Sequence, residues 1–359
     1  MNHTALFASL PASLTTLRIS LPSVHGIGLD QFAHPIEIPA EVLNGLKTFE
    51  FNSDWGILHA PRLLLSCANF EYLSLNFRSR DPRFAPFEEG RLFEVHLPNL
   101  RTLRLQNQYY RLEMLKFFRT PALETLDIGY EKILFRYCVA NQGLGNATLS
   151  PKGPLCEFVL RSGCQEALRS LRIHGFMVPL DPEDVQAISA DCPSLTHLSL
   201  DRVGLKSDEF FYSFQRKLAG CGTPECIPPS CLPHLQQLQI LDCPKKDYCC
   251  PSAFVFLRRL HHARGGSEAD RIELVMSFGE GTGWEELAEE DFSEMREWAA
   301  LDAEGRKMRD PVVFKIVGVE YGNKNWADPD DDGMRSHPFA RPLDLAGIQF
   351  ETFTPVNDI

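Results

Sequence analysis

A short apolar pattern, leucine-x-x-leucine-x-leucine, recurs along this chain and constrains its fold more than any other feature. Two clear copies begin at Leu168 and Leu195. Between them Asp181, followed by proline, gives the start signal of a helix whose apolar face carries Val185 and Ile188. Each unit is therefore a strand, a turn and a helix. One such unit cannot bury its apolar side alone, so the units are expected to stack and share one core.

The pattern occurs eight times, and its first positions are separated by 32, 24, 30, 23, 45, 27 and 40 residues. The copies begin at Leu14, Leu46, Phe70, Leu100, Leu123, Leu168, Leu195 and Leu235. Repeats of about 20 to 29 residues with this pattern are leucine-rich repeats. The sequence thus predicts an irregular α/β leucine-rich-repeat solenoid, or horseshoe, with a parallel β-sheet on its concave face and mostly helices on its convex face. The two longest gaps are expected to contain surface loops, and helical stretches fit residues 111–119 and 252–262.

Three regions follow from this pattern. Residues 1–262 are predicted to form the solenoid, residues 263–321 a degenerate repeat with an acidic cap, and residues 322–359 an acidic, proline-rich, flexible tail. Strands are expected at 271–278 and 312–319, because apolar residues alternate there. An acidic amphipathic helix is expected at 284–301, where its apolar side either caps the core or docks on a partner.

Charge and composition reduce the number of function classes that the chain could belong to. The net charge is −12; residues 261–359 contain 22 Asp+Glu and 10 Lys+Arg, whereas residues 1–260 contain 26 of each kind. Neither part has the clustered basic residues that nucleic acid requires. No apolar run suggests a membrane span or a secretion signal. We therefore expect a cytoplasmic or nuclear protein whose eleven cysteines are reduced, with no nucleic-acid or membrane partner and no cofactor.

The predicted binding surface is the concave face of the sheet. If the first leucine of each pattern is position one, positions four and six point into the core, and positions three, five and seven point to the concave face. Tyrosine and arginine dominate binding hot spots in protein interfaces. The candidate partner-binding residues are Arg18, Tyr72, Asn76, Arg104, Gln106, Asp127, Arg172, His174, His197 and Asp201.

The strand starts carry a family resemblance. Cys192-Pro193-Ser194-Leu195 opens one strand, Cys67-Ala68-Asn69-Phe70 is a looser copy, and a third repeat ends at Cys243. These features resemble the leucine-rich-repeat F-box family of intracellular ubiquitin-ligase substrate receptors, particularly the irregular repeats of fungal members. The resemblance implies substrate binding on the concave face and ubiquitin-ligase subunits as partners.

The F-box of that family has no visible counterpart before Leu14. The segment from Ile38 to Leu43 resembles an F-box opening but leads directly into the strand after Leu46, so it predicts a convex helix. A stand-alone repeat scaffold or inhibitor is therefore the alternative.

Catalytic and metal chemistry finds little support in the sequence. The chain has no H-E-x-x-H, no G-x-S-x-G and no phosphate-binding glycine loop, so we expect no enzyme. A zinc site at Cys221, Cys226, Cys231 and Cys249, with a zinc-dependent enzyme as its remote consequence, is disfavoured because these cysteines are loosely spaced. The run Asp328 to Gly333 begins like a calcium loop but has Phe339 where a glutamate is required.

Overall fold

The structure is a computed structural model whose chain divides into two compact units. The first unit comprises Met1–Val178 and Ala187–Leu195, and the second comprises Pro179–Gln186 and Thr196–Ile359. The residues that the structure describes are 7, 10–20, 38–53, 63–65, 67–77, 94–108, 112–130, 152–175, 180–203, 205, 211, 232–243, 250–265, 272–278 and 312–316. The predicted boundaries at residues 262 and 321 stay predictions.

The first unit is built on a parallel sheet. Its strands are β1 (Thr16–Ser20), β2 (Thr48–Ser53), β3 (Tyr72–Phe77), β4 (Val95–His96), β5 (Thr102–Gln108), β6 (Phe118–Arg119), β7 (Thr125–Tyr130) and β8 (Ser170–His174). The main sheet has the order β1-β2-β3-β5-β7-β8, and β4 pairs with β6 separately. Every adjacent pair is parallel, and Leu17 faces Phe49 just as Leu126 faces Leu171. Equivalent positions of the sequence pattern therefore lie side by side.

The second unit continues the same pattern in its own strands. They are β9 (His197–Asp201), β10 (Gln237–Cys243), β11 (Ile272–Phe278) and β12 (Val312–Ile316), in that order and all parallel. Leu274 faces Leu238 on one side and Phe314 on the other. The strands predicted at 271–278 and 312–319 are confirmed within the described residues, which cover 272–278 and 312–316. The helix predicted at 284–301 and the tail at 322–359 lie outside the described residues.

Within the described ranges, four α-helices and one 3-10 helix connect these strands. They are α1 (Ala40–Gly45), α2 (Lys152–Ser162), α3 (Pro182–Asp191) and α4 (Cys250–Ala263), with a 3-10 helix at Glu113–Phe117. The helices predicted after Asp181, at Ile38 to Leu43 and at 252–262 are confirmed as α3, α1 and α4. The helical stretch expected at 111–119 is confirmed only in part, because the chain forms a 3-10 helix at Glu113–Phe117 and Phe118 then pairs with Val95 in β4. The described part of the chain thus has α/β character.

The core lies on the leucine side of the strands. Leu73, Leu103 and Leu171 at position four are each 0% exposed, as are Leu75 and Ile173 at position six. In the first unit the rings of Phe49 and Phe70 also stack, with centroids 5.6 Å apart. Burying such side chains contributes about 1.5 to 3 kcal/mol each. The predicted assignment of positions four and six to the core is confirmed, with the exception of Leu17 in the edge strand β1, which is half-buried.

Two arginines tie connecting segments to neighbouring turns. Arg161 in α2 donates through Nη2 to the carbonyl oxygens of Leu115 at 2.5 Å and Phe118 at 3.3 Å. Arg264, which follows α4, donates to the carbonyl oxygens of Leu235 at 2.8 Å and of Leu232. Turn carbonyls need partners when they leave water. Each guanidinium therefore satisfies two of them while holding a connection in place.

Glycine 175 offers a direct test of packing at the end of β8. Gly175 and Gly163 share a φ of +69°, but a Cβ at Gly175 would meet the backbone oxygen of Tyr130, whereas a Cβ at Gly163 would meet nothing within 4 Å. Gly163→Ala should cost about 1 to 2 kcal/mol for its left-handed backbone alone. Gly175→Ala should cost roughly 1 to 3 kcal/mol more, because β7 must move. Urea unfolding of both variants checks this, and equal losses would contradict the close approach.

Candidate functional site

Charged side chains alternate along position five of the sheet in the first unit. Because the strands pair in register, position five reads across them in a fixed order. The order is Arg18, Glu50, Ser74, Arg104, Asp127 and Arg172. At one edge Arg18 Nε lies 3.1 Å from Glu50 Oε1, and both side chains are well exposed. That pair is electrically neutral, so the surplus charge of the row lies further along the sheet.

Five predicted residues form what we call the central cluster: Tyr72, Arg104, Asp127, Arg172 and His174. Arg104 donates from Nη1 to the Tyr72 hydroxyl at 3.1 Å, and its guanidinium carbon lies 5.6 Å from the centroid of the Tyr72 ring. The same arginine places Nε 3.7 Å from Asp127 Oδ2, while His174 Nε2 lies 3.4 Å from Asp127 Oδ1. Arg172 is the register neighbour of Asp127 on β8. The sheet thus places Arg104 and His174 at one carboxylate, with Tyr72 against Arg104 and Arg172 on the adjoining strand.

Burial within the central cluster differs from the sequence expectation. Alternation assigned Asp127, His174 and Asp201 to the concave face, and they are only 6%, 6% and 5% exposed. The alternation did not predict this low exposure. For Asp127 the physical reason is its neighbourhood, since Arg104 and the His174 ring approach its two carboxylate oxygens. The guanidinium side chain of Arg104 is 34% exposed, so the cluster presents positive charge outward and keeps its negative charge covered.

Gly129 makes room for the His174 ring. It occupies position seven of β7 and is the register neighbour of His174. A Cβ at Gly129 would collide with the imidazole. The missing side chain therefore lets the ring lie over the strand, where Nε2 reaches Asp127. Sequence analysis did not identify Gly129 as part of the site, although a glycine inside a strand is a recognised sign of close approach.

The remaining candidate residues are Asn76 and Gln106 in the first unit and His197 and Asp201 in the second. In the first unit Asn76 and Gln106 are half-buried register neighbours at position seven. In the second unit exposed His197 has Nδ1 2.8 Å from Thr196 Oγ1, and buried Asp201 has Oδ1 3.4 Å from Arg202 Nε. The structure therefore brings together half of the predicted set.

One polar group of the second unit escaped sequence analysis. Gln237 donates from Nε2 to Glu273 Oε2 at 2.6 Å and accepts from Gln239 Nε2 at 2.8 Å. Glu273 is in β11, beyond the last clear copy of the pattern. The alternation of Ile272, Leu274 and Met276 is the signal that could have extended position three to Glu273.

A second charged row precedes the strands at position two. Lys47 Nζ lies 2.9 Å from Glu71 Oε1, and Arg101 Nη1 lies 3.1 Å from Glu124 Oε1. The hydrogen bond from Lys47 lowers the pKa of Glu71. Because these pairs are exposed, water and salt screen them and each adds little to stability. Their main consequence is that opposite charges are neighbours along position two, at the start of the strands.

The described residues were searched for metal-binding groups and for reactive thiols. Within the described ranges no group of three or more His, Cys, Asp and Glu side chains could hold a metal ion. The disfavoured zinc ligands Cys221, Cys226, Cys231 and Cys249 and the calcium-like run at 328–333 lie outside the described residues. Burial raises the pKa of Cys67 to about 12 and that of Cys164 to about 11.

Comparison with known proteins and with membrane-protein features adds little. No protein-family model and no curated protein matches the chain. In the part of the chain described, no helix has the length and apolar character needed to cross a bilayer.

The contact between Gly129 and His174 can be tested by a double-mutant cycle. Gly129→Ala should destabilise the protein by roughly 1 to 3 kcal/mol, because the ring must leave Asp127. In a His174→Ala background most of that loss should vanish, since the obstacle is gone. Gly153→Ala, in α2 with nothing within 4 Å of the added Cβ, is the control and should not destabilise. Unfolding free energies give the cycle, and an additive result would contradict the proximity.

Thiol reactivity tests the burial of the cysteines. The thiolate is the reactive form, so the raised pKa values of Cys67 and Cys164 predict very slow alkylation in the folded protein at about pH 8. Both should react readily in urea. Cys156, which is half-buried in α2, provides the comparison within the same chain. Iodoacetamide labelling with site-resolved mass spectrometry measures this, and Cys67 reacting as fast as Cys156 while folded would refute it.

Proposed function

We propose that this chain is a non-catalytic protein-recognition scaffold of leucine-rich-repeat architecture, and that a protein partner binds the polar face of its sheet. Repeated strands that pair in parallel and in register, joined by helices and turns, are what a solenoid of such repeats produces. The face opposite the leucines carries one side chain from every second position of each strand. Such a face is broad and presents side chains from many repeats at once.

The central cluster is the observation that carries this proposal. Tyr72 and Arg104 belong to the residue types that dominate interface energetics, and here they lie against each other with Asp127 behind them. Side chains that are already ordered lose less conformational entropy on binding. A preformed polar anchor surrounded by half-buried polar strand residues fits recognition of a protein surface.

The resemblance of the strand starts to leucine-rich-repeat F-box receptors favours a substrate-receptor-like role in a ubiquitin ligase. A stand-alone scaffold or inhibitor would use the same face. The two differ in what else is bound to the chain, because a receptor also associates with ligase subunits.

Affinity purification with a face variant tests the proposed function. The tagged full chain should retain a partner that is lost on Arg172→Glu, which reverses charge in the central cluster. Lys116→Glu makes the same change at an exposed site in the 3-10 helix and should retain the partner. Quantitative mass spectrometry of the bound proteins measures both.

The outcomes separate the alternatives. Ligase subunits that stay with both variants, together with a partner lost only on Arg172→Glu, support a receptor. A lone partner lost on Arg172→Glu supports a stand-alone scaffold. Loss of every specific partner on Lys116→Glu and none on Arg172→Glu would contradict the use of this face.

A further inference from the structure

The outward charge of the central cluster indicates what kind of group it recognises. Position five supplies Arg104 on β5, Asp127 on β7 and Arg172 on β8 from three consecutive strands. Neighbouring strands of a sheet lie about 4.8 Å apart, so the two arginines flank one carboxylate within about 10 Å. This stretch carries one more positive than negative charge, whereas the edge pair Arg18 and Glu50 is balanced.

Burial makes that imbalance larger at the surface. The side chain of Asp127 is 8% exposed and that of Arg104 is 34% exposed. A solute therefore meets guanidinium before it meets carboxylate. Electrostatic interactions at a partly covered site are also screened less by salt than those between fully exposed charges.

The contacts that hold Arg104 indicate the shape of the group that it binds. The Tyr72 ring and hydroxyl hold the guanidinium of Arg104 on one side, and Asp127 holds its Nε on the other. A fixed planar guanidinium suits the planar, forked carboxylate better than it suits a spherical ion.

We propose that the central cluster is a subsite for the carboxylate side chains of an acidic peptide segment in the protein partner. Arg104 and Arg172 bind the carboxylate, while Tyr72 and Asp127 act as positioning residues for Arg104. This inference rests on the proposed protein-recognition function and names the chemistry of the partner.

Binding of a defined peptide tests the subsite. The probe is a fluorescein-labelled peptide of alternating glutamate and glycine, with a glutamine–glycine peptide of the same length as control. Fluorescence anisotropy with the full chain should show binding of the glutamate peptide that weakens as salt is raised. The glutamine peptide should bind at least about tenfold more weakly, a difference of about 1.4 kcal/mol.

Variants assign that binding to the cluster. Arg104→Gln and Arg172→Gln should each weaken the glutamate peptide by about tenfold, and Lys116→Gln, which removes an equal charge elsewhere, should not. Tyr72→Phe should weaken it by less, because the positive charge stays while its alignment is relaxed. Urea unfolding verifies that each variant folds, and Arg172→Lys, which keeps the charge, should recover part of the affinity if Arg172→Gln is unstable.

Three results would overturn the inference: no binding of the glutamate peptide, equal binding of both peptides, or unchanged binding by folded Arg104→Gln and Arg172→Gln. These are distinct from failure of the proposed function. A partner that is captured through Arg172 although the glutamate peptide does not bind removes the acidic subsite and keeps the scaffold. If the glutamate peptide binds but Arg172→Glu loses no partner, the acidic subsite is kept and the proposed scaffold function is removed.

Discussion

One backbone interaction recurs at the start of β2, β3, β5, β7, β8 and β10, and it sets the register on which the rows of equivalent side chains depend. The carbonyl oxygen at position two accepts hydrogen bonds from two successive N–H groups of the next strand. Thr15 O accepts from Lys47 and Thr48 at 2.8 and 3.0 Å, and Glu71 O accepts from Arg101 and Thr102 at 2.9 and 3.0 Å. A slip of one residue would break both bonds and would also turn every leucine to the polar face. Backbone geometry and core burial therefore enforce the same alignment.

That alignment turns a sequence pattern into rows of equivalent side chains. Leucines stack with leucines in the core, and charges at positions two and five meet charges on the adjoining strands. Like charges placed directly opposite would repel, and opposite charges attract weakly. The alternation Arg18, Glu50 and the alternation Arg104, Asp127, Arg172 are consistent with this constraint. The register therefore decides which charged side chains become neighbours along position five. It brings Arg104, Asp127 and Arg172 side by side, and this is where the excess positive charge lies. The register itself is set by the backbone and the core, and not by the polar side chains.

The sequence was informative wherever one physical cause acts alone. Burial of leucine every second or third residue identifies the strands and, since each pattern has the same length, their relative register. Prediction from the sequence failed where several neighbouring residues act together. The low exposure of Asp127 depends on two long side chains from other strands and on the absence of a side chain at Gly129, and no single position encodes that. The helical stretch expected at 111–119 was predicted too long for a similar reason, because pairing of Phe118 with Val95 in β4 ends the 3-10 helix at Phe117.

Stability does not explain why a carboxylate is buried at Asp127. Removing a charged group from water costs several kcal/mol, and ion pairs at such sites often do no more than offset that cost. An apolar residue at position five of β7 would avoid the cost altogether. What Asp127 provides instead is orientation, since its two oxygens lie near Arg104 on one side and His174 on the other. A covered acid that aligns exposed arginine is a physical arrangement suited to recognition, and Gly129 allows it by leaving space for the imidazole ring.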